Sequence, residues 1–258
     1  MISLLATPLL ACMVLVGIHG YFGGIVLRRG IIFIDLALAQ WAALGVLVGH
    51  WMGVHSSLAL FAMGFLGTLL ASLILIGLEA CHQLDHGQEA SIGVMYVLAM
   101  TIAMVIISST GIEGHHLRDM LSGHLLFVSP MEVFSAVVLY LLIGGIAWRA
   151  HHQLICPTSK RWNLLFYVLF GLVVTSSVKM VGILLVFSLL VLPALTALLI
   201  IPSFKAQCLL GWAIGMVGAL LGLLLAMGLD IPLSLCIILA IMAIFFLTAG
   251  GKYLQKLK

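Results

Sequence analysis

Long apolar runs, almost free of charge, are the feature that most limits how this 258-residue chain can fold. A helix that crosses a bilayer needs about 20 mostly apolar residues. Nine runs of roughly that length are present, at about residues 4–27, 30–49, 56–78, 91–109, 131–148, 162–178, 180–201, 206–228 and 232–250. With 64% hydrophobic and 7% charged residues and a mean hydropathy of +1.32, the chain would expose too much apolar surface in water. A bilayer is therefore its expected solvent.

The apolar runs predict helices rather than strands. Every backbone polar group that faces lipid must be satisfied within the protein, which leaves a helix bundle or a closed barrel. The runs are apolar on both faces instead of alternating, which excludes the barrel. No insert or linker longer than about twenty residues interrupts them, so we expect a single all-α transmembrane domain over residues 1–258. Glycines spaced four apart indicate close helix contacts within this bundle, the alternative being a dimer seam. These pairs are Gly20 and Gly24, Gly45 and Gly49, Gly211 and Gly215, and Gly218 and Gly222.

The basic residues predict the orientation of the spans. The chain has eleven Lys and Arg residues, and if the N-terminus lies outside, only Arg118 and Lys179 fall in outer loops. The others lie in inner loops: Arg28, Arg29, Arg149, Lys160, Arg161, Lys205, Lys252, Lys256 and Lys258. Because Lys and Arg accumulate on the cytoplasmic side, we predict the N-terminus outside and the C-terminus in the cytoplasm. No basic residue precedes the first run, so we expect it to be retained as a helix rather than removed as a secretory signal.

Several functional classes are not supported by the motifs of the chain. It contains no G-x-x-x-x-G-K-[ST] phosphate loop, no H-E-x-x-H and no G-x-S-x-G. We therefore expect no enzymatic activity of its own, no covalently bound cofactor and no nucleic-acid partner. Transport or scaffolding in the membrane remains.

Asp35, Gln40 and His19 lie inside the predicted spans, where each is taken as a functional hypothesis. Asp35 lies six residues after Arg29, about 9 Å along a helix. Its alternative interpretation is a carboxylate stabilised by the helix N-terminus and the nearby arginines. Gln40 could instead bond a neighbouring helix, and His19 could be an interior histidine with its hydrogen bonds satisfied. We take the three as candidates for a substrate pathway.

Two polar clusters lie between the spans. The outer one runs from Glu113 to His124 and contains His115, His116 and His124. The inner one places His82 with His86, and Asp85 with Glu89, four residues apart on one helix face. Imidazole and carboxylate together suit zinc or iron. We therefore add His115, His116 and His124 to Asp35 as candidate metal ligands, the alternative for both clusters being ordinary solvated loop residues.

One stretch resembles a known signature. From Lys179 to Ala197 the chain reads KMVGILLVFSLLVLPALTA, similar to the K-x-V-G-x-L-L and P-A-x-x-A blocks of the membrane permease subunits of ABC-type zinc, manganese and iron importers. Lys179, Gly182 and Pro193 fall on this signature, and Pro193 is expected to bend or break its helix and so to help build a gate. Further similar stretches follow the same order: Arg28 to Gln40, Ser91 to Met95, and Leu121 to Pro130.

The resemblance implies partners and a location. It implies a homodimer in the bacterial inner membrane with the substrate path between subunits, an extracytoplasmic metal-binding protein and a cytoplasmic P-loop ATPase. The divalent metal would be cargo, and ATP would be used only by the partner subunit. One departure is Gln40, which stands five residues after Asp35 where many members have a histidine four residues after their aspartate. An amide oxygen is a poor zinc ligand, so a site there would be weaker or suited to a harder ion.

The inner loop from Arg149 to Asn163 is a second departure, because it is short and lacks the family's usual D-x-x-A-x-x-x-G docking element. Thr158 or Ser159 could still cap a helix that continues with Lys160 and Arg161, and we expect the ATPase to contact these four residues. The alternative is that Lys160 and Arg161 are only positive-inside anchors.

Three functions stay open: an ATP-driven metal importer, an ATP-uncoupled metal channel or ion-driven transporter, and a non-transporting scaffold.

Overall fold

Helices dominate the computed structural model, which describes residues 2–80, 88–110, 123, 125–157, 159–229 and 231–256. The helices are α1 (Ile2–Arg29), α2 (Ile34–Trp51), α3 (Ser57–Ala80), α4 (Gln88–Thr110), α5 (Pro130–Arg149), α6 (His151–Ile155), α7 (Lys160–Val181), α8 (Ile183–Ile200), α9 (Phe204–Leu229) and α10 (Leu233–Lys256). A short 3₁₀ turn covers Leu125–Phe127. No strand occurs within these described ranges.

Nine helices in the described part of the chain are long and apolar enough to cross a membrane, and α6 is the short exception. This confirms the all-α class and the nine predicted spans. The observed helix boundaries differ from the predicted ones by a few residues. Helix α2, for example, begins at Ile34 and not at residue 30. The orientation of the termini stays a prediction.

The chain divides into two compact units. Unit 1 comprises residues 1–27, 122–140 and 180–258 and contains most of α1 together with α8, α9 and α10. The last three helices pack against one another. A Cβ at Gly218 or Gly222 of α9 would overlap Ile241 or Ile237 of α10. Small residues thus let these helices approach closely, as the glycine spacing predicted.

Unit 2 comprises residues 28–121 and 141–179, and α2 packs against both α3 and α4 in it. A Cβ at Gly45 of α2 would overlap the backbone of Met63, and one at Gly67 of α3 would overlap that of Trp41. The Trp41 indole Nε1 donates to the Met95 carbonyl of α4 at 3.0 Å. These contacts bury most of α2, including the residues around its N-terminus.

The signature stretch is interrupted at Gly182 rather than at Pro193. Gly182 has φ +82° and ψ 162° and separates α7 from α8. Only glycine adopts this backbone region without strain. Helix α8 continues through Pro193, which is buried, so the break considered for Pro193 does not occur.

Candidate functional site

Asp35 is the most unusual polar residue among those that the structure describes. It lies in the first turn of α2 and is fully buried, with 0% of its surface exposed. Neither carboxylate oxygen accepts a hydrogen bond from the described residues. A buried carboxylate without partners is costly, because its charge has lost water and gained nothing in return. Such a carboxylate is suited to bind a cation transiently.

The nearby arginine does not fill that need, because Arg29 is engaged elsewhere. Its Nε donates to the Leu154 carbonyl at 2.7 Å, and its Nη2 donates to Asn163 Oδ1 at 3.0 Å. The guanidinium also lies 4.2 Å from the centroid of the Phe166 ring. Of the influences considered for Asp35, the position at the helix N-terminus is present, whereas Arg29 contacts α6 and α7 and Arg28 is exposed.

Gln40 and Asp35 share α2 but not one face. Five residues along a helix correspond to a rotation of about 140°, so the two side chains point in different directions. Gln40 is buried, with 4% of its surface exposed. One ion therefore cannot bind both through α2 alone, and the two residues are better regarded as successive polar positions along that helix.

His19 lies in unit 1 and is fully buried in α1. Its Nδ1 is 2.9 Å from the Leu15 carbonyl oxygen, which can only accept, so Nδ1 carries the proton of this bond. Nε2 has no hydrogen-bond partner in the described residues. In the neutral ring this leaves a free lone pair on Nε2, which is the form in which histidine binds metals. The expected satisfied histidine is thus only half satisfied.

The remaining metal candidates, His115, His116 and His124, lie outside the described residues, as do His82, Asp85 and His86. Within the described ranges no group of three or more His, Cys, Asp and Glu side chains could hold a metal ion. A resident metal centre is therefore not found there. Isolated polar groups such as Asp35 suit transient contact instead.

The signature lysine ties two helix ends together. The Lys179 ammonium, near the end of α7, donates to the Ser57 hydroxyl at the start of α3 at 2.6 Å. Both side chains are exposed. Lys179 thus joins the end of α7 to the start of α3, whereas Arg29 contacts the first turns of α7 through Asn163 and Phe166.

The segment between α5 and α7 contains a helix that the sequence did not predict. Helix α6 occupies His151–Ile155, and α7 then begins at Lys160. The Ser159 carbonyl accepts from the backbone N–H of Trp162 at 3.0 Å and of Asn163 at 3.4 Å, which puts Ser159 at the predicted capping position. Ser159, Lys160 and Arg161 are exposed, whereas Thr158 lies outside the described residues.

Sequence reasoning missed the partners of Arg29. Leu154, Asn163 and Phe166 are more than a hundred residues away in the chain and belong to no motif that was recognised. Asn163 was the available signal, since a polar side chain in the first turn of a spanning helix needs a partner. Glu89, assigned only to the inner polar cluster, accepts the Ile32 backbone N–H at 3.0 Å.

Comparison with known proteins identifies the family of this chain. The family model described as "ABC 3 transport family" matches residues 1–250. Among similar curated proteins is the manganese import system permease protein ScaB of Streptococcus gordonii, 22% identical over 98% of this chain and 94% of the relative. Another is a probable iron transport system membrane protein of Haemophilus influenzae, 26% identical over 83% of this chain and 84% of the relative.

A solved structure has the same fold. PsaBC from Streptococcus pneumoniae, in complex with Fab, aligns with a TM-score of 0.78 at 21% identity, covering 95% of this chain and 90% of that chain. Because a family model spans almost the whole sequence and the nine-helix fold agrees, the resemblance seen in the signature is confirmed. This chain belongs to the ABC 3 transport family of membrane permeases.

Proposed function

We propose that this chain is the permease subunit of a bacterial importer that carries a divalent transition metal inward across the cytoplasmic membrane. A separate cytoplasmic ATPase supplies the energy, and the metal is cargo rather than a cofactor. Two copies of the chain form the pathway, and an extracytoplasmic metal-binding protein delivers the ion. Family membership and the metal-transport names of several relatives support this proposal.

The observation that carries the pathway proposal is the buried carboxylate of Asp35. It has no hydrogen-bond partner among the described residues, although an unpaired buried charge costs several kcal/mol. A divalent cation offsets that cost for as long as it occupies the site. His19, with one unpartnered ring nitrogen, is the second candidate contact, and His115, His116 and His124 remain candidates for receiving the ion outside.

The donor atoms favour manganese among the candidate metals. The Asp35 carboxylate offers oxygen, and Gln40 offers oxygen at a separate position along α2. Carboxylate and carbonyl oxygens suit manganese, whereas zinc is also bound well by softer ligands. Several similar proteins carry manganese in their names, including ScaB. We therefore propose manganese(II) as the first ion to test.

Replacing Asp35 tests the pathway directly. Asp35→Asn has nearly the same shape but no charge, and Asp35→Glu keeps the charge. We expect Asp35→Asn to reduce manganese(II) uptake by cells about ten-fold or more, because loss of even a residue that supports a metal ligand typically costs about ten-fold. Because an amide is cheaper to bury than an unpaired carboxylate, its thermal stability in detergent should stay equal or rise.

The two readouts separate the interpretations of Asp35. If the carboxylate only stabilises the N-terminus of α2, Asp35→Asn should lose about 0.3–1 kcal/mol of stability and keep its uptake. Normal uptake by a well-expressed Asp35→Asn protein would therefore exclude the pathway role. Partial uptake by Asp35→Glu would show that charge, rather than shape, is what the ion requires.

A further inference from the structure

Arg29 joins two parts of unit 2 that are distant in sequence. It lies at the end of α1, immediately before the turn that leads into α2. Three groups that it contacts, the Leu154 carbonyl, the Asn163 amide and the Phe166 ring, belong to α6 and α7. The residues proposed to receive the ATPase, Ser159 to Arg161, lie between these contacts along the chain. Any displacement of that segment therefore acts on Arg29.

The turn after Arg29 is well fixed at both ends. Gly30 has φ +67°, a left-handed conformation that reverses the chain. Ile31 and Ile34 are fully buried, and the Ile34 N–H bonds the Ile31 carbonyl at 3.1 Å. The Glu89 side chain, in the first turn of α4, accepts the Ile32 N–H. We expect a short turn held in this way to pass movement on to α2 instead of absorbing it.

Helix α2 begins at the end of this turn, and Asp35 is its second residue. Asp35 lies six residues after Arg29 along the chain, and the turn that joins them holds the Ile31–Ile34 and Ile32–Glu89 hydrogen bonds. Packed and hydrogen-bonded groups that follow one another in this way can carry energetic coupling between two sites.

We propose that Arg29 is a coupling strut, a positioning residue that transmits movement of the ATPase-facing residues 151–157 and 159–163 to the start of α2, where it repositions Asp35. This inference rests on the proposed function. It assigns Arg29 a role distinct from that of a positive-inside anchor, for which any basic residue at the membrane surface would serve.

The strut needs arginine, not only a positive charge. The planar guanidinium donates from Nε and Nη2 to two acceptors while its face covers the Phe166 ring. A lysine ammonium has the charge but neither the fork nor the flat face. The substitution Arg29→Lys therefore keeps the positive charge at the membrane surface and removes the two-acceptor hydrogen bonding and the ring contact.

The test is reconstitution of the chain with its ATPase subunit in liposomes, with manganese(II) uptake and ATP hydrolysis measured together. We expect Arg29→Lys to lower the amount of manganese moved per ATP hydrolysed about five-fold or more, while the ATPase still copurifies and still hydrolyses ATP. Asn163→Leu should act in the same direction, because it removes one acceptor. Asn163→Asp keeps an acceptor oxygen for Arg29 and should leave the ratio near wild type.

Lys205→Gln is the control for charge, since it removes an exposed basic residue at the start of α9. If Arg29→Lys and Asn163→Leu both move as much manganese per ATP hydrolysed as the wild type, the proposed role of Arg29 is wrong. It is also wrong if Lys205→Gln lowers this ratio as much as Arg29→Lys does. A parallel fall of uptake and hydrolysis would also overturn it, because that pattern indicates lost docking. If Arg29→Lys does not accumulate in membranes, the two Asn163 variants decide. Wild-type uptake that does not depend on ATP would instead overturn the proposed function and the strut with it.

Discussion

Two glycines, Gly182 in the Lys179–Ala197 stretch and Gly123 in contact with it, show why glycine is needed at these positions. Gly182 adopts a backbone conformation open only to glycine, and Gly123 has φ +61°. A Cβ on Gly123 would overlap the backbone of Val181 and Gly182. Both residues belong to unit 1, so the 3₁₀ turn region and the α7–α8 junction meet through backbone contact there. The resemblance marked Gly182 as a signature residue, but only the structure gives the physical reason.

Alanine at Gly123 should therefore cost more than its backbone conformation alone explains. Gly53 is a matched control, because it has φ +77° and nothing within 4 Å of a Cβ. We expect Gly53→Ala to cost about 1–2 kcal/mol of stability, the usual cost of a left-handed L-residue. Gly123→Ala should cost about 1–3 kcal/mol more, because the added methyl group must displace backbone. Thermal unfolding in detergent measures both, and equal losses would contradict the close contact.

At the scale of helices, apolar run length was a sufficient guide. Each predicted span corresponds to one observed helix, because crossing the bilayer fixes both length and composition. Helix α6 was missed since five residues between two spans show no periodicity. The Arg29 contacts were missed for a different reason. They join residues separated by 125 and 134 positions, and pairing over such distances leaves no local pattern.

The candidate site was predictable only in its intramembrane part. Asp35 was singled out because charges at membrane depth are rare, and the structure adds that its oxygens are buried without partners among the described residues. The relation between Asp35 and Gln40 was not visible without helix geometry, since similarity to a family motif suggests one site whereas α2 separates the two faces. Packing, rather than residue type, decides which polar groups can act together.

The exposed end of α7 and the adjoining α6 form the element that should meet the ATPase. Ser159, Lys160 and Arg161 are exposed, and the capping position of Ser159 fixes where α7 begins. We expect a Ser159→Cys variant, in a background carrying Cys156→Ser because Cys156 is exposed, to crosslink to a nucleotide-binding subunit.

His55→Cys provides the matched control for this crosslink, because His55 is also exposed but lies between α2 and α3, at the other predicted side of the membrane. Mass spectrometry of the trapped product identifies the partner. Capture of an ATPase from Ser159 and not from His55 supports an ATP-driven importer. Capture from neither, in membranes that contain the ATPase, would favour the uncoupled transporter.

At the scale of the whole chain, contacts within unit 2 agree with helices that each cross once. At one set of helix ends, Arg29 bonds Leu154 and Asn163, and Ile32 bonds Glu89. The opposite ends meet through Lys179 and Ser57. The first set contains loops predicted to face the cytoplasm, and the second contains loops predicted to face outward. Which set faces which side depends on the basic residues.

The distribution of basic residues makes the orientation testable with the same two cysteine variants. If each long helix crosses the membrane once, all but two of the eleven Lys and Arg residues fall on the side that contains Ser159, and the cytoplasmic side carries the excess of positive charge. We expect a membrane-impermeant thiol reagent to label His55→Cys in intact cells. Labelling of Ser159→Cys should need permeabilised cells, and the Cys156→Ser background without an added cysteine gives the baseline. Labelling of Ser159→Cys in intact cells, together with protection of His55→Cys, would reverse the topology and put the proposed ATPase-facing segment on the wrong side of the membrane.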